Sequence, residues 1–144
     1  MRGFPKEEFI NRIAKLRQLM AKNHVDAIII TSPSNFRYFT GLDSYFWESP
    51  TRPWFVLIPL LKDPIAIVPS IGLSSLEKTW IDNIITWNSP NPEDEGISTV
   101  LNAIHSLKIG KGNIGFELGK ESFLRMKIND FRKLENQLLN FSII

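Results

Sequence analysis

Seven residues, Val25-Asp26-Ala27-Ile28-Ile29-Ile30-Thr31, form a nearly continuous apolar run. A run of that length and composition fits a strand covered on both faces, as in the interior of an α/β sheet. The segment before it has the other period. Pro5 stands where a first helical turn tolerates proline, and Phe9, Ile13, Leu16 and Met20 recur at helical spacing, which predicts a helix from about Lys6 to Asn23. Lys15, Arg17 and Lys22 with Glu7 and Glu8 fall opposite that stripe, on a solvated face.

The alternation continues along the chain. Ser32-Pro33 offers a cap and a first-turn proline for a short helix through Phe39, stopped by Gly41. Trp54 to Leu61 and Ile65 to Val68 read as strands joined by Lys62-Asp63-Pro64. A short helix around Ser74 to Trp80 and a strand at Ile84 to Trp87 follow. Asn91 as cap, Pro92 as first helical residue and the acids Glu93, Asp94 and Glu95 predict a helix start, with Ile97, Val100, Leu101 and Ile104 as its buried stripe. Gly110 and Gly112 close that unit before a strand at Asn113 to Glu117. A last helix is expected from Glu121 to about Gln137, with Leu124, Ile128, Phe131 and Leu134 inward, and a last strand at Phe141 to Ile144. The fold class is α/β, a mixed β-sheet flanked by helices.

Composition narrows the function. The 144 residues suit one domain with one well-filled core, and 43% hydrophobic with 22% charged content is that of a globular chain. A net charge of +2 is too small to argue for nucleic acid, although the pI is about 9.0. No segment reaches the roughly 18 apolar residues of a membrane span. No signal peptide is visible, so Asn140-Phe141-Ser142 is a chance glycosylation sequon and the expected compartment is the cytoplasm. The absence of cysteine removes disulfides, thiolate zinc sites and cysteine nucleophiles together.

Few residues have the spacing of catalysis. His24 and His105 lack acidic or histidine partners at ligand spacing. Asp82 and Asp94 are separated by Pro90 and Pro92, so no strand pair sets them side by side. A two-metal nuclease would need acids clustered near strand centres; Asp26 and Glu117 lie near strand ends and have no third companion. Gly110-Lys111-Gly112 lacks the pattern of a phosphate cradle, and no Gly-x-Ser-x-Gly elbow occurs.

The loop before the second strand is different. Asp43 to Pro53 holds Tyr45, Phe46 and Trp47 in succession, then Arg52 between Pro50 and Pro53. A single loop cannot bury three consecutive rings against its own small domain, and protein interfaces favour Trp, Tyr and Arg. The fork of Arg52 suits a carboxylate, and the two prolines restrict its backbone. The alternative for Arg52 is a surface ion pair with Glu48 or Asp43, of little worth. Arg37 reads as a solvated or helix-pairing charge.

Several segments in order resemble the N-terminal domain of the creatinase/prolidase family, the pita-bread hydrolases that include Xaa-Pro peptidases. They are Arg12-Ile13-Ala14-Lys15-Leu16, Val25 to Ile30, Asn35-Phe36-Arg37-Tyr38-Phe39-Thr40-Gly41, Ile67-Val68-Pro69 and Gly115-Phe116-Glu117. The resemblance covers essentially the whole chain, and Ser49 to Trp54 looks most like the Xaa-Pro peptidase branch. It implies a ribonuclease-H-like fold spanning 1–144, with the C-terminal catalytic pita-bread domain absent from this chain. It also implies that this chain carries no catalytic residue and no metal, and that two divalent ions (manganese, cobalt or zinc) sit in the catalytic domain. The partners implied are that domain, a second copy in a homodimer, and a proline-containing peptide or small carboxylate bound through Arg52, Trp47 and Tyr45. A stand-alone module that binds protein or peptide without hydrolysis, as in certain histone chaperones with a related fold, is the alternative.

Overall fold

The computed structural model describes residues 3–45, 49 and 52–144. Its elements are α1 (Lys6–Lys22), β1 (Ala27–Ile30), α2 (Pro33–Thr40), β2 (Phe55–Pro59), β3 (Ile65–Pro69), a 3-10 turn at Ser70–Gly72, α3 (Leu73–Leu76), β4 (Asn83–Trp87), α4 (Ile97–Ser106), β5 (Gly112–Phe116), α5 (Ile128–Gln137) and β6 (Phe141–Ile143). The described strands form one six-stranded sheet in the order β4-β3-β2-β1-β5-β6. β2 runs antiparallel to both β1 and β3, whereas β1–β5, β3–β4 and β5–β6 are parallel. The mixed α/β sheet read from the sequence is therefore the observed architecture.

Side-chain alternation divides the core. Ile29, Phe55, Leu57, Ile67, Ile114 and Phe116 point to the face covered by α4 and α5, where Val100, Ile104, Phe131 and Leu134 meet them. Ile30, Val56, Ile58, Ala66 and Val68 point to the opposite face, under Ile13 of α1, Phe36 and Phe39 of α2 and Leu76 of α3. β1 and β2 are thus covered on both sides, which explains why they read as continuous apolar runs rather than alternating ones. Trp54, just before β2, is buried with Phe36 edge-on at 5.8 Å. It lies so close to the 3-10 turn that a Cβ on Gly72 would come within 2.7 Å of its ring.

Three expectations are corrected. α4 begins at Ile97, behind Gly96 in the left-handed region (φ 88°), and not at Pro92. Asp94 still serves the helix, because its Oδ1 accepts the Ser98 N–H at 3.1 Å. Burial raises the Asp94 carboxyl, but the hydrogen bonds from Ser98 and Ile97 and the charge of Lys133 outweigh it and bring the pKa below its ordinary value. α5 begins at Ile128, not near Glu121, and Ile128 itself faces solvent at 62% exposure. Arg17, placed on the solvated face by its spacing, instead donates to the carbonyls of Pro59 and Lys62 and ties α1 to the β2–β3 turn.

Candidate functional site

The loop that carries Arg52 leaves α2 at a fixed point. Gly41 adopts φ 78° and donates its N–H to Arg37 O at 2.8 Å, the left-handed ending that glycine provides without strain. A Cβ there would lie 2.7 Å from the Phe9 ring, so the position also admits no side chain on packing grounds. Thr40 Oγ1 donates to Phe36 O at 2.8 Å and accepts the Leu42 N–H at 3.0 Å, which fixes the first residue beyond the helix. Arg37 then pairs with Asp43 at 3.2 Å, both largely exposed, which fits the solvated charge read from the sequence.

Tyr45 is 93% exposed. Trp47 lies outside the described residues, as do Phe46, Glu48, Pro50 and Thr51. Arg52 is half-buried, and its Nε is enclosed without a hydrogen-bond partner among the described residues. Since Asp43 is engaged by Arg37, it is not the counter-ion of Arg52. Arg52 has no ion pair within 4.0 Å among the described residues. Pro53 and Trp54 are buried, so the loop re-enters the fold at an anchored point.

Below the loop root sits a charge that sequence reasoning did not assign to this site. Glu117 follows β5 directly and is only 9% exposed. Its Oε2 accepts the N–H of Thr31 at 2.6 Å, the N–H of Ser32 at 2.7 Å and the Thr31 hydroxyl at 3.0 Å. Its Oε1 accepts the Asn35 side-chain amide at 2.7 Å and the Ser32 hydroxyl. Ser32 and Thr31 immediately precede α2, so a carboxylate from β5 occupies the positive end of that helix and satisfies N–H groups left orphaned there. Burial raises the Glu117 carboxyl, but the hydrogen bonds from Ser32, Asn35 and Thr31 prevail and hold its pKa below the ordinary glutamate value. Asn35 and Glu117, from two of the segments that carry the family resemblance, thus touch each other.

Arg125 connects this hub to the loop. Its backbone N–H donates to Thr31 Oγ1 at 2.9 Å, its Nη1 donates to Arg52 O at 3.3 Å, and its Nη2 donates to Ser49 O. Burial pulls the guanidinium below its ordinary pKa. Nothing in the sequence marked Arg125, because its partners lie 73 to 94 positions away.

The other residues weighed for catalysis are scattered. His24 and His105 are exposed. Asp26 precedes β1 and accepts the Asn113 N–H at 2.8 Å, whereas Glu117 follows the parallel neighbour β5. Four residues of strand therefore separate their levels, roughly 13 Å, too far to share a metal. Among the described residues no three His, Asp or Glu side chains gather as a metal site, and no helix is long and apolar enough to cross a membrane.

A mixed sheet with this strand order, layered between α1–α3 and α4–α5, defines an α/β domain. The Creatinase/Prolidase N-terminal domain profile matches residues 12–142, and the chain belongs to that family. No curated protein matches the sequence. Among solved structures, a prolidase from Thermococcus sibiricus superposes with a TM-score of 0.76 at 19% identity, over 99% of this chain and 35% of that one. A dipeptidase from Pyrococcus horikoshii gives 0.69 at 19% identity, over 92% of this chain and 33% of that one. The N-terminal domain of a Xaa-Pro dipeptidase from Lactobacillus brevis gives 0.70 at 17% identity, over 92% and 89%. At these identities the likeness is one of fold. The chain spans about a third of the length of the Thermococcus and Pyrococcus proteins.

Proposed function

We propose that this chain is the non-catalytic N-terminal domain of a Xaa-Pro dipeptidase- or aminopeptidase-like metallohydrolase. It contributes dimer contacts and, through Arg52 with Tyr45 and Trp47, recognition of the substrate carboxylate in the active site of the neighbouring subunit. Hydrolysis of the bond before proline would be the chemistry supplied by two divalent metals (manganese, cobalt or zinc) held by residues of the catalytic domain, outside this chain. The observation that carries this reading is a guanidinium on an anchored loop root with no carboxylate paired to it among the described residues. A cation so placed is suited to a carboxylate that arrives with a ligand. The strongly exposed Tyr45 on the same connection between α2 and β2 supports a partner surface there.

The test is kinetic. In the polypeptide that includes the catalytic domain, Arg52→Ala raises KM for an Xaa-Pro dipeptide about 10-fold or more, the scale of one lost charge-assisted bond. An unchanged KM would remove Arg52 from recognition. The 144-residue chain alone, supplied with manganese or cobalt, hydrolyses no Xaa-Pro substrate; turnover by it would overturn the non-catalytic assignment.

A further inference from the structure

We propose that Arg125 is the positioning residue for Arg52. It acts by clasping the backbone at the loop root rather than by touching a ligand. The proposal rests on the reading above in so far as Arg52 is the group that meets the substrate.

The geometry forms a relay of hydrogen bonds. The Thr31 hydroxyl donates its proton to Glu117 Oε2 at 3.0 Å, so its lone pairs are turned toward the Arg125 N–H, which it accepts at 2.9 Å. That bond sets where the Arg125 side chain begins, in the non-helical segment that delays the start of α5. The guanidinium then reaches the carbonyls of Ser49 and Arg52 with two different nitrogens. Those carbonyls lie three residues apart and bracket Pro50 and Thr51. A planar fork can hold two such acceptors at a fixed spacing; an ammonium on a flexible stem cannot impose the same spacing. The carbonyl of Arg52 is one bond from its Cα, so fixing that oxygen restricts the direction in which its side chain leaves the backbone. A recognition cation held in place before binding loses less freedom on meeting its ligand.

Arg125→Ala and Arg125→Lys, with Arg52→Ala and the Arg52→Ala/Arg125→Ala pair, separate the possibilities. Backbone 15N order parameters are read on the 144-residue chain. Arg125→Ala lowers that of the Arg52 amide from the rigid range, about 0.85, to below about 0.6, while the amides of β1 and β2 stay at wild-type values. Arg125→Lys, which keeps the charge and the stem, does not restore the wild-type value. An unchanged order parameter at Arg52, or full restoration by lysine, overturns the proposal. So does an equal fall in β1 and β2, which would mark a general structural role.

Kinetics of the polypeptide with its catalytic domain give the second readout. Arg125→Ala raises KM with kcat unchanged, and adds nothing in the Arg52→Ala background. Additive effects of the two substitutions would overturn the proposal. If Arg52→Ala alone leaves KM unmoved, the recognition reading fails, and the order parameter of the Arg52 amide still decides whether the clasp exists.

Discussion

Replacing Glu117 separates what its two oxygens do. Oε2 serves two backbone N–H groups, those of Thr31 and Ser32, which cannot rotate to find other partners. Oε1 serves the Ser32 hydroxyl and the Asn35 amide, both of which can turn and present an acceptor instead. Glu117→Gln can therefore keep its carbonyl oxygen on the Oε2 side and direct its NH2 toward the adaptable pair. Glu117→Ala leaves both N–H groups buried without a partner. At about 1–3 kcal/mol for each orphaned donor, alanine costs roughly 4 kcal/mol, whereas glutamine costs about 1–2 kcal/mol for the lost charge assistance. For a chain of this size that places the alanine variant on the order of 12 °C below wild type in Tm. Urea unfolding followed by circular dichroism measures both. The acid dependence supplies the sign check. The native Glu117 pKa lies below its ordinary value, so the contribution is fully present above about pH 4.3. As pH falls further the unfolded chain takes up the proton first, and the contribution is lost on the way down through the native pKa. The gap between wild type and Glu117→Gln consequently narrows below pH 4. Equal losses for alanine and glutamine, or a gap that widens in acid, would refute the division of labour between the two oxygens.

Three further substitutions test packing at two glycines and one exposed charge pair. Gly96→Ala sets a Cβ 2.6 Å from Trp87 Nε1 at φ 88°, and so destabilises by about 2–4 kcal/mol in urea unfolding, while Gly110→Ala, with no atom within 4 Å of its added Cβ, stays within about 0.5 kcal/mol of wild type. Arg37→Gln breaks only the exposed pair with Asp43, so calorimetry finds Tm within about 1 °C and KM for a dipeptide is unchanged, in contrast to Arg52→Ala.

The elements most legible in the sequence are those whose local signals and tertiary surroundings agree. α1 was read to within one residue, because its apolar stripe and its packing against the β1–β2 face are the same fact. Gly41 ended α2 as its sequence position indicated. The start of α4 was misread for a physical reason. Asn91, Pro92 and three acids form a sound local start signal, but Gly96 lies under the Trp87 ring and turns the chain there, so the helix begins where its buried stripe begins. α5 was read too early because the segment before it is held open by the bond from Arg125 N to Thr31, which no local pattern announces. At the candidate site, prolines and rings single out Arg52 and Tyr45, which lie between α2 and β2. The apparatus beneath them, Glu117 with Arg125, was invisible because it is assembled from three distant stretches of chain.

That distance has a consequence for how the domain can be made or divided. Glu117 lies 82 to 86 positions from the donors it satisfies at the head of α2. A nascent chain that has emerged only as far as β4 carries those donors without their acceptor, and gains the bond only when β5 slots in beside β1. Biogenesis is thereby biased toward all-or-none completion: the first half waits on the second, and a cut between residues 41 and 116 would yield two pieces that each lack what the other supplies.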